Sequence, residues 1–495
     1  MTNGVQLLAY ADRFGGGGLQ GLRDLLTGPF DGLFSGIHIL PFYDPIDGAD
    51  SGFDPIDHLS VDDRLGDWSD IKDLTQVVDV TADLVVNHIS ADSRQFLDYV
   101  QNGGASEYAG MFLTVDKVFA DGANDTDIAK IYRPRPSDPY VVKLLGDGSE
   151  EKLWTTFTPQ QIDLDVRDPG AQAYLQRILD RLAENGVSTV RLDAVGYAVK
   201  TAGTSSFMTR ETFAFIDRLA GWTRDRRLQS LAEIHAHYRY QIEAAQHVDY
   251  VYDFALPPLI LHTLFDRDVR ALKNWFSMCP HNAITVLDTH DGIGVMDIGA
   301  DALDSRSGGL VAPTFIDAIV EKIHANTGGV SKIASQQGVG NLDLYQVNCT
   351  YYDALGRDDR DYLLARLVQF FAPGCPQVYY VGLLAGENDS DLLARSRVGR
   401  DVNRHFYSMN EITQQLERPV VQALMGLIRF RNRSRAFTGT FEVLESPDHV
   451  LHIRRSDGDS CAELRIDVES RQFAVEHLEG GDRQRYSDFF DFGQN

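Results

Sequence analysis

Cysteine is scarce. The 495 residues hold four thiols, Cys279, Cys349, Cys375 and Cys461, far apart and with no C-x-x-C pair. That excludes a zinc ribbon or a disulfide framework and fits reduced core thiols in a cytosolic protein. Long apolar runs are absent too: nothing approaches the roughly 18 uncharged apolar residues of a membrane span. The opening Met1-Thr2-Asn3-Gly4 and the short apolar Val5–Tyr10 lack the positive region of a signal peptide. Positive charge is in deficit, with 46 Lys+Arg against 72 Asp+Glu and a net charge of −26. Nucleic acid and anionic membrane surfaces are therefore poor partners, and an anionic substrate would need local positive charge at its site. There is no P-loop, no G-x-S-x-G elbow and no low-complexity tract beyond Gly15–Gly18. What remains is ordinary globular chemistry, 43% hydrophobic and 24% charged, long enough for two to four domains or one large barrel with additions.

Short β-branched apolar runs recur at Val5–Tyr10, Leu33–Leu40, Ala82–His88, Val187–Ala194, Leu231–His235, Tyr250–Phe254, Ala283–Thr289 and Gln377–Val381. Amphipathic helical stretches separate many of them. Before the fourth, Asp168-Pro169 reads as an N-cap with proline at the first helical position. Tyr174, Leu175, Ile178, Leu179 and Leu182 then repeat at helical spacing, and Gly186 closes the helix. Eight strands alternating with helices predict an α/β fold, a (β/α)8 TIM barrel, with an open doubly wound sheet as the alternative. Three stretches break the alternation: about 89–161, about 292–352, and the tail after Phe437. In that tail Phe441/Val443, Leu451/Ile453 and Leu464/Ile466/Val468 alternate as in strands, predicting a small β-domain.

Barrel enzymes gather their chemistry at the C-terminal strand ends, where the βα loops converge. The fourth strand ends Arg191-Leu192-Asp193, and the two-residue period sets Arg191 and Asp193 on one face. A neighbouring guanidinium favours an ionised carboxylate, suited to a nucleophile. The fifth ends Ala232-Glu233-Ile234-His235, where a carboxyl in a partly apolar cleft could serve as general acid and then base. The seventh ends Leu287-Asp288-Thr289-His290-Asp291, a third negative group at the same mouth, and the third ends Asn87-His88. Singly, such acids are more often caps or ion-pair partners and such histidines structural. Together, three acids and an Arg fit glycosyl transfer, which needs a proton on the leaving oxygen and negative charge at the sugar carbon. Two weaker patterns compete. Gly16-x-Gly18-x-x-Gly21 matches the dinucleotide fingerprint but lies in a glycine run with no acidic residue ending a second strand. His235 and His237 might share a metal face, yet no third ligand is evident.

The segments Arg191–Tyr197, Ala232–His235 and Leu287–Gly294 resemble the α-amylase superfamily (glycoside hydrolase family 13). Within it, His38–Phe42, Gly48–His58, Ile131–Pro136, Phe157–Gln161, Asn341–Asn348 and Gly399–His405 resemble the sucrose phosphorylase family, over nearly the whole chain except about the last 55 residues. The resemblance implies a catalytic barrel in three parts, 1–88, 164–291 and 355–436, with insert B at 89–163, insert B′ at 292–354 and a C-terminal β-domain at 437–495. It implies Asp193 as nucleophile, Glu233 as acid/base and Asp291 as transition-state stabiliser. Asp50, His88, Arg191, His290 and Arg400 would hold the glucosyl ring, with Phe53 and Phe157 as an aromatic wall. Tyr197, Pro134, Leu342, Asp343, Tyr345, Gln346 and His235 would surround the fructose or phosphate position. Phosphate beside three acids needs a cation, for which Arg135 is the candidate, helped by His235 and Tyr345. Many superfamily members bind structural calcium between barrel and insert B, and Asn87 sits where a ligand could lie. Sucrose phosphorylases are generally calcium-free, and no acidic cluster at ligand spacing occurs in 89–161, so no metal and no cofactor is expected. The implied partners are sucrose and inorganic phosphate, in a cytoplasmic homodimer. A phosphorylase of sucrose 6′-phosphate, glucosylglycerol or glucosylglycerate, a hydrolase or transglucosidase, and a non-enzymatic sugar-binding barrel are the other readings. The last normally lacks catalytic acids that are present here.

Overall fold

Each of the eight apolar runs overlaps a strand, and the strands form one closed parallel ring. They are β1 (Gln6–Ala9), β2 (Gly36–Ile39), β3 (Asp79–Val85), β4 (Thr189–Asp193), β5 (Gln229–Ala232), β6 (Tyr250–Asp253), β7 (Ala283–Thr285) and β8 (Cys375–Tyr379). Each pairs with its neighbours in sequence, and β1 pairs with both β2 and β8, which excludes the open sheet. The computed structural model describes residues 3–48, 50–133, 138–336 and 346–493. Helices α1 (Gly18–Thr27), α2 (Trp68–Leu74), α3 (Pro169–Glu184), α4 (Arg210–Asp225), α5 (Tyr238–Ala244), α6 (Leu256–Asp266), α7 (Asp359–Phe371) and α8 (Pro419–Arg433) follow the strands in turn.

Helix α3 shows why the pattern was readable. The Asp168 carboxylate accepts from the N–H groups of Gly170 and Ala171, and Pro169 fills the first turn where no donor is needed. Tyr174, Leu175, Ile178, Leu179 and Leu182 are all at most 1% exposed. Gly186 has φ +82°, and a Cβ there would lie 2.8 Å from Thr75 Oγ1. At Gly18 close packing requires the glycine: a Cβ there would stand 2.4 Å from the carbonyl oxygen of Leu65.

The strands stop earlier than the apolar runs suggest, and this sets the site. Strand β7 ends at Thr285, so Leu287–Asp291 is loop rather than strand. There the carbonyls of Thr289 and His290 accept from the side chains of Asn403 (2.9 Å) and Arg404 (2.8 Å). Strand β5 ends at Ala232, one residue before Glu233. Strand β3 ends at Val85. His88–Ser90 is instead a separate short strand, antiparallel to Gln161–Asp163.

The connection from β3 to α3 carries a hairpin, Tyr140–Leu144 with Glu150–Trp154, over a small core of Leu113, Val115, Phe119, Ile131 and Trp154. The connection from β7 to α7 carries helices Pro313–Asn326 and Val330–Gln336. After α8 come β9 (Thr440–Val443), β10 (Val450–Asp457), β11 (Ser460–Asp467), β12 (Gln472–Glu479) and β13 (Asp482–Tyr486), an antiparallel meander. The last two lack the clean alternation that marks the first three. No disulfide joins the four cysteines; Cys279, Cys349 and Cys375 are buried, but Cys461 is half-buried on β11 rather than in the core. No described helix is long and apolar enough to cross a membrane.

Candidate active site

Below the barrel mouth lies a buried polar layer. Asp83 on β3 is fully buried and accepts from His38 Nε2 (3.0 Å) and Arg191 Nη1 (2.6 Å). His38 Nδ1 lies 3.1 Å from the Tyr252 hydroxyl, which donates to Gln377. Four other strands, β2, β3, β6 and β8, thus hold Arg191 of β4 from beneath.

Above it, Arg191 grips two more acids. Nη1 is 2.8 Å from Asp193 Oδ1, and Nη2 is 2.7 Å from Glu233 Oε1. The two carboxyl groups thus share one guanidinium through its two terminal nitrogens, a pairing that suits a nucleophile and an acid/base acting on one sugar carbon. Ala194, just after β4, has φ +52°, a conformation uncommon for alanine, and its N–H points at Glu233 Oε2 at 3.4 Å.

The expectation that Arg191 simply keeps Asp193 ionised needs correction. One guanidinium is shared among Asp83, Asp193 and Glu233. Burial raises the Asp193 carboxyl well above the usual carboxylate range. Arg191 opposes this, and Glu233 and Asp83 add to it.

Asp291 is tuned the other way. Arg400 Nη1 is 2.7 Å from Oδ1, His290 Nε2 is 3.6 Å away and Arg404 Nη2 is 3.8 Å away. Burial pushes its carboxyl up, but the charges of Arg400, His290, His235 and Arg404 prevail and hold it far below the usual range. Asp291 is therefore a permanent anion.

Asp193, Glu233 and Asp291 line one cavity of about 720 Å³ with Asp50, Phe53, His88, Phe157, Tyr197, His235, His290, Gln346 and Arg400. Arg191 sits beneath its floor. Phe53 is sandwiched between His290, stacked at 4.9 Å, and the Arg191 guanidinium at 5.2 Å. Phe157 meets His88 and Tyr197 edge-on, both at 5.3 Å. His88 Nε2 faces the Phe53 carbonyl at 2.9 Å. Arg400 Nη1 also lies 3.8 Å from Asp50. Pro134, Arg135, Leu342, Asp343 and Tyr345 lie outside the described residues. A second cavity of about 710 Å³ adjoins the first and shares Tyr197, Phe207, His235 and Gln346 with it.

Sequence reasoning missed several residues here. Gln161 and Phe207 line the catalytic cavity. Asp83, a charge inside an apolar strand, was a visible signal. Lys200 was not singled out either, and it answers the question of calcium. Its ammonium is 3% exposed and donates to Asn87 Oδ1 (2.6 Å) and the Tyr197 carbonyl (2.6 Å), and pairs with Asp163. The place where Asn87 could have met a metal holds a lysine cation. Glu233, His235 and Asp291 do bring donor atoms within 4.8 Å of one another, so the described residues include one set able to hold a metal ion. All three belong to the acid constellation.

Comparison with known proteins follows the same lines. A model of the α-amylase catalytic domain matches residues 9–255. The sucrose phosphorylase of Agrobacterium vitis is 58% identical over 443 residues, 90% of either chain. That of Bifidobacterium adolescentis is 52% identical over 448 residues, 90% of this chain and 89% of that one. Among solved structures, the sucrose 6F-phosphate phosphorylase of Thermoanaerobacter thermosaccharolyticum superposes with a TM-score of 0.90 at 36% identity, covering 99% of this chain and 98% of that one.

Proposed function

The chain belongs to the sucrose phosphorylase family of the α-amylase superfamily, and from that premise we propose that it transfers glucose from sucrose to inorganic phosphate with retention of configuration. The products are α-D-glucose 1-phosphate and D-fructose. The observation that carries this reading is the Arg191 fork, which sets Asp193 and Glu233 side by side opposite the anionic Asp291.

The reaction runs in two displacements. Asp193 attacks the anomeric carbon, and the bond to the fructosyl oxygen breaks as that oxygen takes the proton of Glu233. A β-glucosyl ester on Asp193 and a Glu233 carboxylate result. Hydrogen phosphate then enters, gives its proton to Glu233, and its oxygen attacks the same carbon as Asp193 departs. Both transition states place positive charge on the ring, and Asp291, held ionised by Arg400, faces that charge. Asp50 and Arg400 grip ring hydroxyls, and Phe53 and Phe157 give the ring apolar walls.

Supplying sucrose with and without phosphate tests the reading. Glucose 1-phosphate should dominate with phosphate, and free glucose as the main product in its presence would reassign the enzyme as a hydrolase. Turnover of sucrose 6′-phosphate in preference to sucrose would move it to the neighbouring phosphorylase. Pro134 supplies no cation for such a substrate. Arg135→Ala should slow phosphorolysis more than glucosyl-enzyme formation in rapid-quench measurements, and equal loss of both steps would remove Arg135 from the phosphate site. The same reading makes the enzyme a cytoplasmic homodimer. Four cysteines outside any disulfide suit that compartment, and light scattering should report twice the 55.2 kDa chain mass.

A further inference from the structure

When phosphate arrives, the site already holds two carboxylates, Glu233 and Asp291, and an anion entering there needs a cation. Among the described residues lining the acceptor-side cavity there is no lysine or arginine; the basic groups are His235 and His237. His237 is already engaged, with Nε2 on the carbonyl of Gly308 (3.0 Å) and Nδ1 accepting from the Arg239 N–H (3.4 Å). His235 lines both cavities.

The surroundings of His235 are asymmetric. Its ring stacks on Phe254 of the β6 end at 3.7 Å and 17°. Nε2 faces the reacting side, 3.7 Å from Glu233 and 3.8 Å from Asp291. Nδ1 faces away, 3.9 Å from Asp297 Oδ2. Asp297 is 3% exposed, and its Oδ1 accepts the backbone N–H of Ala236 at 3.1 Å. It thus fixes the chain beside the ring and sets a carboxyl oxygen facing Nδ1. Gly294 makes room: a Cβ there would lie 2.2 Å from Asp297 Oδ2. The groups facing His235 are then Glu233 from its own loop, Asp291 and Asp297 from the segment after β7, and uncharged Phe254 from β6. Arg191 of β4 is taken up by the acids.

We propose that Asp297 is a positioning residue that holds His235 as an imidazolium aimed at the acceptor, making phosphate rather than water the preferred acceptor of the glucosyl-enzyme. This rests on the function proposed above. Burial alone would drive the proton off His235, yet Asp297, with Glu233 and Asp291, raises it above the ordinary histidine value. Glu233 and Asp291 alone would not suffice, because both crowd Nε2 and leave Nδ1–H buried without a counter-charge.

The test is Asp297→Asn, which keeps the shape and the acceptor for Ala236 while removing the charge. The readout is the ratio of phosphorolysis to hydrolysis, two fates of one intermediate, so loss of folded enzyme cancels. The ratio should fall at least threefold, and on the order of tenfold if His235 loses about one unit of proton affinity. The alkaline limb of phosphorolysis should also move to lower pH, because a histidine whose folded value drops is neutral earlier as pH rises. Asp297→Glu, which restores the charge, should recover part of the ratio. His235→Gln should show the same selective loss, and adding Asp297→Asn to it should change the ratio no further. A change below threefold in Asp297→Asn, or additive losses in the double variant, overturns the proposal. A wild-type enzyme indifferent to phosphate would instead overturn the functional reading beneath it.

Discussion

Glu233→Gln should slow turnover of sucrose by roughly 10³- to 10⁴-fold, near the upper range for loss of a general acid, while α-glucosyl fluoride forms the glucosyl-enzyme within about tenfold of the wild-type rate. Fructose is a poor leaving group and must be protonated as it departs. Fluoride leaves without a proton, so the first step no longer needs Glu233. The amide fits the same place, because Glu233 accepts from Arg191 Nη2 at 2.7 Å and from the Ala194 N–H at 3.4 Å, and a carboxamide oxygen can accept either. Rapid-mixing measurement of the first turnover on both donors decides the matter. Equal losses on the two would mean that Glu233 acts in some way other than giving a proton.

The second large effect concerns stability. Lys200→Met should destabilise the protein by about 3–5 kcal/mol, the usual range for removing one partner of a buried ion pair. The thioether fills much the same volume, but Asp163 is left fully buried with only Thr156, through its N–H (3.0 Å) and hydroxyl (2.5 Å). Lys200 joins three pieces of chain: the end of β3 through Asn87, the loop after β4 through the Tyr197 carbonyl, and the strand Gln161–Asp163 beyond the long insert. His88 and Tyr197, next to two of those anchors, line the catalytic cavity. Activity should therefore fall with stability, sucrose affinity first. An unfolding midpoint in urea equal to that of the wild type would show that the insert is held by other contacts.

The barrel was legible because its signals are local. A parallel strand buried on both faces reads as a continuous apolar run, and α3 announces itself through Asp168, Pro169 and Gly186. Strand ends were not legible, because where pairing stops depends on distant partners. Val286-Leu287 continues the apolar run of β7, but Asn403 and Arg404, more than a hundred residues later, take the carbonyls of Thr289 and His290. The final two strands escaped notice because β13 is charged and mostly exposed, and the apolar alternation of β12 is confined to Phe473 and Val475.

The site divides in the same way. The three acids stood out by type and position at strand ends. Their electrostatics did not. That Arg191 serves Asp83 as well as Asp193 and Glu233 requires β3 and β4 to be neighbours in register, Asp83 opposite Arg191. The Asp193 shift is upward first because of burial, which Arg191, shared with Glu233 and Asp83, does not offset, against the expectation from Arg191 alone. Lys200 in place of a metal, and Asp297 behind His235, are likewise products of folding, since each joins segments more than thirty residues apart.

All of this depends on Asp193 becoming covalently bonded to glucose. Incubation with 2-deoxy-2-fluoro-α-glucosyl fluoride, whose fluorine slows the second displacement, followed by peptide mass spectrometry, is the direct test. The added fluoroglucosyl mass should sit on Asp193, in a peptide spanning the end of β4, and Asp193→Asn should accumulate none. A label on another side chain, or undiminished sucrose turnover by Asp193→Asn, would contradict the mechanism.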